Sequence, residues 1–184
     1  DRPKDFLYFY FGYFIGGGLV LNGQIFLGRT GNAAGVGAMP VPTGDHGMRQ
    51  LLTVASMSTL ANAMEATGES SDHLWEQPDR WDVSEAVLSK WMDAAAEGLA
   101  NATLSAAALL EIDTVLIDGW MPPTIRAEVV RRADDVRGFG GQIDADRQHA
   151  RHLVQRLLDP CYTGRAGHAF DVKAQRLRLQ YVAG

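Results

Sequence analysis

The spacing of apolar positions changes several times along this chain, and each change predicts a new element. Phe6 to Phe11 (Phe-Leu-Tyr-Phe-Tyr-Phe) is an unbroken run of aromatic and apolar residues, and Ile15 to Leu21 is a second β-rich run. Short runs of this composition predict buried strands. Asn22-Gly23 follows, a pair that tolerates positive φ and predicts a tight hairpin turn, with Gln24 to Leu27 as the returning strand. Between Gly28 and Gly47 the chain is rich in Gly, Pro and Thr and has little periodicity, which predicts a long shaped loop.

Helical spacing takes over next. Asp45 is placed to cap a helix on which Met48, Leu51, Leu52, Ala55, Leu60 and Met64 share a face, and Gly68 is placed to end it. Residues 69–81 form a polar connection carrying Trp75 and Trp81. The clearest helix comes next. Asp82 and Glu85 have capping-box spacing, and Val87, Leu88, Trp91, Met92, Ala95, Leu99 and Ala102 continue the stripe to about Leu110. Thr114 to Asp118 reads as a short buried strand, and Gly119 as a turn. Pro122-Pro123 opens a helix with Ile125, Val129, Val130 and Ala133 facing inward, closed by Gly138, Gly140 and Gly141. A last helix carries Ala150, Leu153, Val154, Leu157 and Leu158 and stops before Pro160, and the alternation from Phe170 to Tyr181 favours strand. This order predicts an α/β chain with one mixed sheet and helices packed on it. No internal repeat or low-complexity tract is present.

Composition narrows the function classes. Hydrophobic residues at 46% and charged residues at 21% suit a soluble globular domain, and 184 residues are enough for a sizeable core. A net charge of -5 argues against a general nucleic-acid surface, which needs clustered Lys and Arg. Arg131, Arg132 and the basic residues from Arg147 to Arg156 lie among Asp, Glu and Gln, which predicts solvated helix faces. One cysteine, Cys161, permits neither an internal disulfide nor a cysteine-rich zinc site, so a reducing compartment, the cytoplasm, is expected. The apolar stretch from Phe6 to Leu21 is broken by glycines, and it reads as two strands rather than a membrane span or a signal peptide. The chain starts at Asp1 and enters a strand within a few residues, so a chain with its front removed is expected.

The stretch Gly12-Tyr13-Phe14-Ile15-Gly16-Gly17-Gly18-Leu19-Val20-Leu21-Asn22-Gly23 resembles the ROK family of sugar kinases and sugar-responsive repressors. There a strand, a Gly-Thr-Gly-Ile-Gly-x-Gly turn, a second strand and Asn-Gly or Asp-Gly occur in the same order. The resemblance continues through Gly31-Asn32-Ala33-Ala34 into Gly37 and Met39-Pro40, where the family reads Gly-Asn-Ala-Gly-Glu-x-Gly-His-Met-Pro. It resumes at Gly44-Asp45-His46-Gly47, which looks like the Gly-x-x-Gly of the family's Cys-x-Cys-Gly-x-x-Gly-Cys-x-Glu zinc motif. Ile117-Asp118-Gly119 falls where the family has a strand ending in a glycine-rich turn near the nucleotide. The match spans roughly residues 5–135, and residues 138–184 diverge from it. The resemblance implies the C-terminal lobe of the ribonuclease-H-like, actin-type ATPase fold. It implies too that an N-terminal lobe, and in repressors a helix-turn-helix DNA-binding domain, would lie before Asp1.

The resemblance also implies which positions would carry chemistry. The family's sugar-gripping Glu and His, with the Glu that closes the cysteine motif, match Gly35, Ala38 and Gln50, and the Asn of its loop matches Asn32. Gly35 and Ala38 bring no side-chain hydrogen bond, and Gln50 brings an amide without charge. The zinc ligands match Ala38, Val41, Thr43 and Met48, so no metal is expected. Gly12, Gly16, Gly17, Gly18 and Gly119 are remnants of the nucleotide loops, but Tyr13 and Phe14 replace the family's Thr and second Gly and are expected to fill phosphate space. Gly16 to Gly18 read equally as a close strand-to-strand bend. His46 reads as a turn residue, Trp91 as core, and Trp75 and Trp81 as packing or sugar stacking. His149 and His152 read as solvated, and Glu65, Glu69 and Asp72 as a helix end without a partner base. The resulting expectation is a ligand-sensing and oligomerising lobe of a ROK-type regulator, inactive as a kinase and without a cofactor. Its expected partners are a sugar-like molecule, further copies of itself, and DNA only through a missing N-terminal domain. The alternatives are a lobe of a glucokinase- or fructokinase-type sugar kinase and a purely structural assembly module.

Overall fold

The aromatic run at the front of the chain becomes a strand with neighbours on both sides. A computed structural model of the protein describes residues 3–44, 46–110, 112 and 114–136. Strand β1 (Phe6–Phe11) pairs antiparallel with β2 (Ile15–Leu21), from Phe6 opposite Val20 to Phe11 opposite Ile15. Asn22 and Gly23 both take positive φ, as a tight right-twisted hairpin requires, and β3 (Gln24–Ile25) returns along β2. On its other side β1 pairs in parallel with β6 (Val115–Gly119), so the sheet order is β3-β2-β1-β6. A parallel neighbour needs a crossover, and helix α4 (Glu85–Leu110) lies within it.

The core forms where this sheet meets the helices. Phe9 and Phe11 are fully buried, and the Phe11 ring meets Trp91 of α4 edge-on at 6.1 Å. Gly98 lets α4 approach Leu51, whose Cδ1 lies 3.0 Å from where a Cβ at residue 98 would sit. Helix α5 (Pro123–Asp135) opens on a proline in its first turn and buries Val129, Val130 and Ala133. Arg132 ties α5 to α4: it donates to Ser89 O at 3.0 Å and Asp93 Oδ1 at 2.8 Å, and within its own helix to Glu128 at 2.8 Å. It is therefore a clamp between helices rather than part of a solvated face.

Other expectations change once tertiary pairing is included. The loop after β3 contains a 3₁₀ turn at Val36–Ala38 and strand β4 (Pro40–Pro42). Residues Met48–Gln50, expected to open a helix, instead form β5, paired with β4 from Pro40 opposite Gln50 to Pro42 opposite Met48. Burial of Val41 in that hairpin outweighs a weak helical pattern. The helix starts only at Leu52, and it divides at the extended residue Ser56 into α1 (Leu52–Ala55) and α2 (Met57–Ala66). Gly68 ends α2 at positive φ, as expected. A one-turn helix, α3 (His73–Glu76), interrupts the polar connection. Ser84, not Asp82, precedes α4, and its carbonyl accepts Leu88 N–H at 3.0 Å. The returning strand is shorter than expected because Gly28, at positive φ, turns the chain away from the sheet edge. Asp45, the glycines at 138, 140 and 141, the segment Arg147–Arg156 with His149 and His152, the helix of Ala150–Leu158, Cys161 and the strand expected from Phe170 lie outside the described residues.

Close backbone approach leaves no room for a Cβ at Gly17 or Gly37. A Cβ on Gly17 would sit 1.8 Å from Tyr8 O, and one on Gly37 would sit 2.4 Å from Ile15 O, whereas Gly18 has nothing within 4 Å. Gly17→Ala and Gly37→Ala are each expected to lower stability by about 3 kcal/mol or more, and Gly18→Ala by no more than about 0.5 kcal/mol. Urea denaturation midpoints of the three variants check this.

Candidate functional site

The turn Gly12–Phe14 joins β1 to β2 and is held by the start of α2. Met57 N–H donates to Gly12 O at 3.2 Å and Ser58 N–H to Tyr13 O at 3.1 Å, while Ile15 N–H donates to Ser56 Oγ at 2.8 Å. The first amides of a helix have no partner within it, and here the turn carbonyls take that place. Those amides are thereby committed to the turn and not to an anion. Tyr13 and Phe14 stand outward from the turn, each 60% exposed. The Tyr13 ring lies 5.5 Å from Trp75 and 4.8 Å from Phe14, so Trp75 is a packing partner of the turn. Trp81 meets Trp91 edge-on at 6.2 Å and belongs to the rim of the core.

Of the glycines singled out in the sequence, Gly119 ends β6 opposite Phe11, and Gly12 directly follows β1, so both lie at the carboxyl ends of these parallel strands. A Cβ on Gly119 would meet the Phe11 side chain at 2.6 Å, and Trp120 N–H donates to Phe11 O at 2.8 Å. Gly17 is required by close strand approach, in keeping with the bend reading, but Gly16 and Gly18 face open space.

A second cluster adjoins the first residue of β2. Ala38 N–H closes the 3₁₀ turn on Gly35 O at 2.9 Å, and Gly37 rests against Ile15 O. Leu51 N–H donates to Met39 O at 2.9 Å, which brings Gln50 to the same loop. Asn32, Gly35, Ala38 and Gln50 are all exposed there. The fold thus gathers the four positions, but only Asn32 and Gln50 present side-chain donors and acceptors. The positions Ala38, Val41, Thr43 and Met48 do not fit a zinc ion: they offer two hydrocarbons, a hydroxyl and a thioether, and Val41 is fully buried. Among the described residues no group of three His, Cys, Asp or Glu could hold a metal ion. His46 sits at positive φ in the β4–β5 connection, its amide bonded to Thr43 O at 2.9 Å.

The acidic residues near the end of α2 are structural. Glu65 accepts from Ser71 Oγ at 2.9 Å, and Asp72 from Ser70 Oγ at 3.2 Å. Glu69 accepts from Ser84 N–H at 3.0 Å, Ser84 Oγ at 2.7 Å and Thr67 Oγ1 at 2.9 Å, and the bonds from Ser84 hold its carboxyl below the usual range.

One charged cluster was not singled out in the sequence. Asp118, at the end of β6, accepts from Arg126 Nη1 at 2.5 Å, from Gly119 N–H at 2.7 Å and from the Tyr8 hydroxyl. Both partners of the ion pair are about nine-tenths buried. Burial pushes the Asp118 carboxyl up to about 6, against the opposing pull of these donors. Burial, and then the Asp118 carboxylate, push the Tyr8 phenol well above its ordinary range, and the Tyr10 phenol is raised by the same two causes. The sequence signal was a carboxylate ending the apolar run Val115–Ile117, and a cation on the inward stripe of α5.

No sequence-family model and no curated protein sequence matches the chain. Solved structures do. A ROK-family protein from Streptococcus pneumoniae TIGR4 in complex with sucrose superposes with a TM-score of 0.57 at 16% identity, over 83% of this chain and 58% of that one. The ROK hexokinase from Thermus thermophilus superposes at 0.54 and 16% identity, over 84% and 58%. A ROK-family transcriptional regulator, a homologue of the E. coli MLC protein, superposes at 0.53 and 16% identity, over 83% and 46%. The fold is that of part of these ROK chains. At 16% identity the fold is what is shared with these ROK chains, and this chain spans less than two thirds of the length of each. Among the described residues no helix is long and apolar enough to cross a membrane.

Asp118 generates a pH prediction within this fold. The native carboxyl titrates near 6 and the unfolded one near its ordinary 3.8, so between these values the folded protein keeps a proton that the unfolded chain releases. The stability gained from this site is complete below the unfolded value. It is lost as pH rises through the folded one, by on the order of 3 kcal/mol. Asp118→Asn cannot titrate and is expected to flatten that part of the stability curve, read by urea unfolding between acid and neutral pH.

Proposed function

We propose that this chain is the C-terminal lobe of a ROK-type transcriptional regulator, a ligand-sensing and oligomer-forming part without sugar-kinase activity. One observation carries the reading. The loop of Asn32, Gly35, Ala38 and Gln50 keeps a built scaffold, with Gly37 seated on Ile15 O and Leu51 N–H on Met39 O, yet Gly35 and Ala38 present no functional group. Phosphoryl transfer to a sugar needs a base at the attacking hydroxyl and firm grips on the others. A sensor needs only enough hydrogen bonds to bind. In this reading the Asn32 and Gln50 amides hold a sugar-like molecule, no zinc is required, and DNA is contacted by a separate N-terminal domain. The protein works in the cytoplasm as a homo-oligomer. The ROK regulator among the structural neighbours supports such a role for the fold.

The full-length polypeptide, supplied with a panel of hexoses and ATP in a coupled assay, is expected to show no turnover. Titration calorimetry with the same sugars is expected to show saturable binding, weakened about tenfold by Asn32→Ala or Gln50→Ala. Hexose-dependent ATP consumption would make it a kinase lobe instead, and stoichiometric zinc in the purified protein would overturn the zinc-free reading of the loop.

A further inference from the structure

The loop between β3 and β4 is rich in hydrogen-bond donors. Arg29 and Asn32 share one tight bend, closed where Ala33 N–H donates to Leu27 O at 3.1 Å. Gly28, at positive φ, turns the chain into that bend, and a Cβ there would meet Ala33 Cβ at 2.7 Å. Gly31 and Ala34 also take positive φ. Among the described residues the amides of Gly31, Asn32, Ala34 and Gly35 find no acceptor. Amides left unpaired in such turns can converge on an anion. Asn32 and Gln50 add side-chain amides and Arg29 a guanidinium, all three on exposed residues.

Charge points the same way. From Phe6 to Met64 the sequence holds one carboxylate, Asp45, against Arg29 and Arg49, although the whole chain carries a net charge of -5. Arg49 stands next to Gln50 on β5. Among the described residues Arg29 forms no ion pair, whereas Arg126, Arg131 and Arg132 are each held by a carboxylate. The loop is thus a locally cationic place on an acidic chain, where an approaching anion is attracted rather than repelled. An ionised carboxylate or phosphate accepts at its free oxygens, so it uses donors that a sugar hydroxyl leaves idle.

We propose that the ligand of this loop is an anionic sugar derivative, a sugar acid or a sugar phosphate. Its charged group lies on Arg29, and its hydroxyls lie on the amides of Asn32 and Gln50. This ligand class rests on the reading of the loop as a sugar-like site and adds the charge that the site selects. Both kinds of anion offer the same acceptor oxygens, so Arg29 serves either. Because Arg29 is exposed, its attraction is screened by salt and adds to a binding that the two amides give to neutral sugars as well.

The test is titration calorimetry on the full-length polypeptide with glucose, mannose and galactose, each beside its uronic acid and its 6-phosphate. At least one anion is expected to bind about tenfold tighter than its parent hexose, and added salt should erode that advantage. Which anion gains tells carboxylate from phosphate. Arg29→Gln should remove the difference between anion and hexose, and Asn32→Ala should weaken both. Anions no tighter than their parent sugars, or an advantage that survives Arg29→Gln, overturn the anionic ligand while leaving a sugar site in place. Anion binding untouched by Asn32→Ala puts the anion outside the loop and overturns it too. If neither hexoses nor anions bind, the loop is no ligand site, and the sensor reading falls with it.

Discussion

Ser56 is a small polar residue with no exposed surface, and its hydroxyl and carbonyl accept or donate toward β2, α1, α2 and α4. A buried hydroxyl without partners would cost on the order of 1–3 kcal/mol, so its position is tolerable only because its groups are used. Through it the first residue of β2 is tied to the helices. Through the two residues after it, the turn between β1 and β2 is tied to the start of α2. The sheet and helical layers therefore share one hydrogen-bonded corner, and the candidate site lies around it.

Close backbone contact places the rest of the site. Gly37 rests on Ile15 O, and Gly119 lies against Phe11. Each contact excludes a Cβ, so each glycine is retained by packing whatever the protein binds. This separates scaffold from chemistry at the loop of Asn32, Gly35, Ala38 and Gln50. Its glycine at 37 is demanded by geometry, whereas Gly35 has only Asn32 O at 4.0 Å and would admit a larger side chain. Gly35 is therefore not held as a glycine by close packing.

Charge is used sparingly inside this framework. The buried pair of Asp118 and Arg126 joins the end of β6 to the first turn of α5, and Tyr8 brings β1 into the same cluster. A buried ion pair gives little net stability, but removing one partner is costly, so it specifies how these elements meet. Arg132 does a similar task at the surface, where α5 meets α4.

The strong local patterns were legible in the sequence: β1, β2, the Asn22-Gly23 turn, most of α4, β6 and the proline-opened α5. Each follows from side-chain periodicity or turn chemistry within a few residues, and these act without knowledge of the rest of the chain. That Asn32, Gly35, Ala38 and Gln50 would come together in one loop region was expected from the order of motifs, and the fold gathers them. What only tertiary structure decided were the features set by distant partners. Met48–Gln50 became a strand because Pro40–Pro42 lay beside it, and the helix after it broke because Ile15 and Trp91 reached Ser56. Asp118 acquired its altered acidity from burial at a strand end beside α5. Local sequence sets what a segment can become, and hydrogen-bond partners some 40 residues away chose among the options because buried backbone groups cannot go unpaired.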